Sequence, residues 1–213
     1  MQGLSVIQKI AVYAIPLIFA ITFHEAAHAY VANRHGDNTA KMMGRLSLNP
    51  LHHIDPIGTI LFPLIGILFG GFIFGWAKPV PINFGRLHNP KRDILWVALA
   101  GPLANFTMAL IWAIFLKLSF YLDSYFGIPI SLTAQAGISI NISLMLLNLL
   151  PILPLDGGRI VLSLLPNAQA NKYARTEHYG MFILIFLLMI GGLTYIIQPI
   201  YLTIVNLILS LLM

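Results

Sequence analysis

IPLIFAITFHEAAHAYVANRHG, residues 15–36, runs nine residues without a charge and then places two histidines and a glutamate in the same stretch. The question is why so apolar a chain carries ionisable groups there. Hydrophobic residues make up 58% of the 213 and charged residues 9%, with a mean hydropathy of +0.85, a balance foreign to a soluble domain. Several uncharged runs approach or exceed the roughly 20 residues that cross a bilayer, so a helical membrane protein with several spans is expected. The first run has no charged start and itself carries the ionisable residues, so it is expected to stay in the protein and not to be cleaved as a signal peptide.

The formal charge of +5 comes from basic residues scattered through short loops. No basic helix or aromatic-interleaved patch is present, so no nucleic-acid partner is expected. With no cysteine in the chain there is no disulfide and no thiolate metal site, which leaves histidine and carboxylate as the available ligands.

Working outward, the pattern predicts a first span at 4–32, a polar loop at 33–56 of strand-like character, and a Pro- and Gly-rich apolar stretch at 57–75. Further spans are predicted at 94–122, opened by Asp93 as a cap, and at 132–150, where "NLLPILPLDGGR" (148–159) breaks the helix. Broken helix at membrane depth is tolerated only where it is buried in protein or lines a cavity. A span at 180–197 and a last apolar run at 199–213 follow. Residues 1–213 are expected to form one membrane-embedded domain, with a motif-bearing core over about 4–165 and additional helices over 180–213.

In HEAAH, His24 and His28 are four apart. On a helix they stack on one face with about 6 Å of rise between them, suited to one metal ion. Glu25 sits beside the first, where it can take a proton from water activated by that metal. Composition alone predicts about 0.002 occurrences of such a pattern, so chance does not account for it. Catalytic zinc takes three protein ligands and keeps a position for water, so a third His, Asp or Glu must come from elsewhere. Of the seven acidic residues, Asp156 lies in the proline-broken end of an apolar span, whereas Asp37, Asp55, Asp93 and Asp123 read as solvated. A plain turn or capping role for Asp156 in D-G-G stays open on these grounds.

HEAAH followed by AGPLAN (100–105) and NLLPILPLDGGR resembles the site-2 protease family of intramembrane zinc metalloproteases. NPLHHIDPIGTI (49–60) and FGWAKPVPIN (74–83) resemble its compact prokaryotic branch, which lacks PDZ and nucleotide-sensing CBS modules. The resemblance implies one zinc per chain on His24, His28 and Asp156, Glu25 as general base, and Asn148 holding the substrate strand or the developing oxyanion. It also implies an all-α polytopic fold: about five transmembrane helices, a re-entrant hairpin and short β-like loop segments around a three-helix catalytic core.

Both motifs must end at the same depth, which a full crossing by 57–75 forbids and a re-entrant hairpin allows. The hairpin also puts ten of the twelve basic residues, all but Lys9 and Lys117, on one side, which the positive-inside rule makes cytosolic. The expected setting is therefore a multi-pass protein of the cell membrane with its active site near the cytosolic face. Its expected partners are the lipid bilayer and membrane-protein substrates with a transmembrane segment. Two other readings stand beside this one: a catalytically silent scaffold, and an ion-coupled transporter, which would call for similar broken halves.

Overall fold

Ser5 opens the first helix. Its side chain accepts the Gln8 N–H at 3.3 Å, and Gln8 returns the bond to the Ser5 N–H at 2.9 Å, a capping box that satisfies two helix-end donors. The computed structural model describes residues 4–61, 64–65 and 78–212. In chain order its α-helices are α1 (Val6–Arg34), α2 (Thr39–Met42), α3 (Pro90–Ser119), α4 (Ser124–Asn148), α5 (Asp156–Leu164), α6 (Asn167–Ala174), α7 (Glu177–Met189) and α8 (Gly192–Leu212). The helices α1, α3, α4 and α8 are long and apolar enough to cross a membrane. Large apolar side chains such as Phe182, Met189 and Tyr195 stand exposed on α7 and α8, as an all-helical membrane protein requires.

The centre is a three-helix core of α1, α3 and α4, with α5 packed on α3 and α8 on α4. Small residues set these contacts. Ala20, Ala29 and Ala32 of α1, Ala109 and Ala113 of α3, and Ala134 of α4 are all buried, which lets the backbones approach closely. Ile138, Ile142 and Met145 of α4 and Ile208 of α8 fill the space between α3, α4 and α8.

The element boundaries differ from those expected in four places. Among the described residues no strand forms: the 33–56 loop holds α2 and a 3-10 turn at Pro50–His52, because Asp37 caps Thr39 and Asn49 caps Leu51, local bonds that compete with a sheet. The third helix begins at Pro90, with Asn89 as its cap. Asp93 is not that cap; it is buried, accepts the Asn89 N–H at 2.7 Å and pairs with His35 Nδ1 at 2.9 Å. The fourth begins at Ser124, because Asp123 accepts the N–H groups of Tyr125 and Phe126. Finally, the last apolar region divides at Gly191 (φ 72°), where a left-handed residue ends a helix cheaply, while Pro199 lies inside α8. The 13-residue α7 is about 20 Å long, short of the bilayer core.

Most of the expected hairpin, 57–75, lies outside the described residues. Its flanks are together: Lys78 donates its N–H to His53 O at 3.0 Å, His88 to His35 O at 2.8 Å, and Asn83 to Asp37 Oδ2 at 2.6 Å.

Asp37 is thus the clasp between the two loops that border α1, and its fully buried carboxylate has a consequence in acid. Burial opposes its ionisation, but the hydroxyl and N–H of Thr39, the N–H of Asn83 and the charge of Arg86 outweigh it and hold the carboxyl below its ordinary value of 3.8. A depressed folded-state pKa stabilises the fold above the unfolded-state value, and that stability is lost as pH falls through the folded one. Asp37→Asn is expected to cost about 1–3 kcal/mol at neutral pH, and the gap to wild type should close below pH 3.8. Detergent-phase unfolding measured across pH 7 to 2 reads this; a gap independent of pH would remove the clasp.

Candidate metal centre

The site is assembled from α1, α3, α4 and the start of α5. His24 and His28 are both buried on α1. Their Nε2 atoms lie 3.0 Å apart, with Asp156 Oδ2 3.4 Å from the first and Asp156 Oδ1 3.3 Å from the second. The three groups offer ligand atoms within 4.8 Å of one another.

The other ring nitrogens are occupied. His28 Nδ1 donates to the Val97 carbonyl oxygen at 2.7 Å, and His24 Nδ1 to Asn105 Oδ1 at 2.6 Å. The orientation of the Asn105 amide follows from its other side, where Nδ2 donates to Ala20 O at 3.2 Å and to Asn141 Oδ1 at 3.0 Å. Asn141 Nδ2 in turn donates to Gly137 O at 2.9 Å. A chain of amides thus crosses from α4 through α3 to α1 and fixes the tautomer of His24, as the Val97 carbonyl fixes that of His28, so that both Nε2 lone pairs face the site, the usual support behind a metal-binding histidine.

Asp156 reaches the histidines because of the break before it. Leu149 to Leu155 turn tightly through a cis Leu153–Pro154 peptide, and Gly157 lies so close to Leu149 O that a Cβ there would come within 2.2 Å of it. As the first residue of α5, Asp156 sits where the helix dipole favours an anion.

Two lone pairs and a carboxylate converging in this way require a cation. Asp156 Oδ2 is buried and has no hydrogen-bond partner. A tetrahedral zinc shell of radius about 2.05 Å has edges of about 3.3 Å, close to the measured 3.0, 3.3 and 3.4 Å. The donor set and its spacing therefore fit zinc.

Glu25, next to His24, is half-buried and accepts the Val80 N–H on Oε2 at 2.7 Å. Asn148 closes α4, where its Nδ2 donates to Leu144 O at 3.0 Å; no hydrogen bond joins it to the histidines or to Asp156 among the described residues. The sequence reading passed over Asn141, Gly101 and Val80. Asn141 carried a signal, a polar side chain inside an apolar span; Val80 carried none, because it acts through its backbone.

Gly101 of α3 faces the ligands, and a Cβ there would lie 2.3 Å from His28 Nε2 and 2.5 Å from His24 Cε1. Gly101→Ala is expected to weaken metal binding by about 10- to 100-fold while circular dichroism shows unchanged helix content. Wild-type affinity in that variant would mean that the imidazoles have room to spare.

Comparison with known proteins follows the same lines. The model of peptidase family M50 matches residues 12–191. YwhC of Bacillus subtilis, provisionally named a zinc metalloprotease, is 40% identical over 199 residues, covering 87% of this chain and 83% of that one. Rip2 of Mycolicibacterium smegmatis, provisionally named likewise, is 31% identical over 83% of this chain and 66% of its own, and Rip2 of Mycobacterium tuberculosis (strain H37Rv) is 28% identical over 81% and 63%. No solved structure matches the chain. With its family model spanning most of the residues and a relative this similar over most of both lengths, the chain belongs to peptidase family M50, the site-2 proteases.

Proposed function

We propose that the protein is an intramembrane zinc metalloprotease that hydrolyses peptide bonds within or near the transmembrane segments of membrane proteins. The observation that carries this is the convergence of His24, His28 and Asp156 within 4.8 Å among helices long and apolar enough to cross a membrane. One zinc per chain would be held by these three side chains. When bound, zinc supplies a Lewis acid for the scissile carbonyl and lowers the pKa of water toward neutrality.

The chain's own residues do the rest. Glu25 takes the proton of the attacking water and delivers it to the leaving amine. Asn148 spends one amide hydrogen on Leu144 O and keeps a second for the substrate strand or the oxyanion, where a fixed donor is worth most. The substrate helix must open before its carbonyl can be reached, since its amides are otherwise bonded internally. Residues 1–213 act as one membrane-embedded unit.

Its setting is a multi-pass protein of the cell membrane with the site near the cytosolic face. The ten-to-two division of basic residues supports this, as do the meeting flanks of 57–75. Single cysteines at Asn38 and Asn83, in a chain with no native thiol, are expected to react with an impermeant reagent from the same, cytosolic side. Labelling from opposite sides would overturn the topology.

Activity decides the chemistry. Glu25→Gln is expected to keep its zinc and lower cleavage of single-span substrates in liposomes by about 10²- to 10⁴-fold, whereas Asp156→Ala loses both zinc and activity. Cleavage at the wild-type rate by Glu25→Gln removes Glu25 from the mechanism, and full zinc in Asp156→Ala removes the third ligand.

A further inference from the structure

Val80 lies in a short strap, Lys78 to Val80, that crosses beside α1 and touches Glu25 through a backbone atom. The Val80 N–H donates to Glu25 Oε2 at 2.7 Å, a charge-assisted bond. Among the described residues Glu25 makes no other hydrogen bond. On the protease reading above, we infer that this strap is a positioning element for the general base: the Val80 N–H captures Oε2 and presents Oε1 as the oxygen that takes the proton.

The strap is itself held from three directions. The Lys78 N–H donates to His53 O at 3.0 Å. Arg45 Nη2 donates to Lys78 O at 2.8 Å and to Pro79 O at 3.4 Å. The Val80 side chain is buried against Ala29 and Ala40, with Leu46 and Ile82 packed around them. His53 is fully buried, with Nε2 donating to Ser47 O at 2.8 Å. It stiffens the loop on which the strap rests.

The flanking residues make the assignment specific. Pro79 and Pro81 have no N–H, so within 79–81 Val80 owns the single amide, and no neighbour can replace it if the strap slips by one residue. The prolines also fix the local backbone, so the donor's direction is set before any substrate arrives. A free glutamate side chain samples many rotamers; one tethered at Oε2 holds its other oxygen in place, which is where catalytic orientation gains rate.

Val80→Pro deletes this one hydrogen and leaves an extended backbone, while Val80→Ala keeps it. Val80→Pro is expected to lower kcat by about 10- to 100-fold with KM and zinc content unchanged, and Val80→Ala, which keeps the N–H and loses only side-chain packing, is expected to lower it less. A second readout is independent of turnover. In a double-mutant cycle, Val80→Pro should lower the unfolding midpoint more in wild type than in a Glu25→Ala background. Equal shifts in both backgrounds, or a Val80→Ala defect as large as that of Val80→Pro, overturns the assignment. If Val80→Pro does not fold, Arg45→Ala releases the Lys78 and Pro79 carbonyls with Val80 intact; a lowered kcat at constant KM supports the strap and an unchanged kcat overturns it. A wild-type protein that cuts nothing overturns the protease reading and the role of Oε1 with it, while the cycle still reports whether the Val80–Glu25 bond exists.

Discussion

Two imidazole nitrogens 3.0 Å apart, each with its ring proton turned away, repel one another unless a cation stands between them. Much of this structure holds that unfavourable pair in place. Val97 and Asn105 take the outward protons, Asn141 secures Asn105, and the proline-broken turn after α4 delivers a carboxylate to the same point. Once these are fixed, a hard or borderline divalent ion completes the set.

The membrane setting explains why the supporting contacts are so orderly. In hydrocarbon a polar group finds few partners, so a stray amide on α3 or α4 would be costly. The Asn105–Asn141 pair is instead closed at both ends by main-chain carbonyls, Ala20 O and Gly137 O. The same atoms join three helices that otherwise meet through alanine and glycine, so the bonds that orient His24 also set the register of the core.

How much of this stood in the sequence follows from which forces are local. His24, His28 and Asp156, which meet in the structure, stood out because each breaks a rule visible in one dimension: two histidines and an aspartate where an apolar run should be uninterrupted. The helix content was legible for the same reason. Asp37 and Asp93 were misread as solvated because their burial depends on loops that meet across about 50 residues of chain, and the contacts that compensate them, Asn83 N–H and His35, carry no pattern of their own. The division at Gly191 was missed: the break expected between 197 and 199 falls within α8, which runs on through Pro199. Val80 was invisible in principle, since a backbone hydrogen belongs to every residue but proline.

The close approach at Gly101 and Gly157 has its counterpart elsewhere: an added methyl would meet Trp112 at Gly137, Leu153 N at Gly158 and Leu153 O at Gly180. The outer sides of α7 and α8, by contrast, carry large apolar side chains that stand exposed among the described residues. Tolerance to substitution is therefore distributed very unevenly. A broad greasy exterior can exchange one apolar residue for another with little effect on the fold, while a handful of positions at the centre admit no additional atom at all. Variation in such a molecule would gather on the outside, with Gly101 marking, like a surveyor's peg, the wall against His24 and His28.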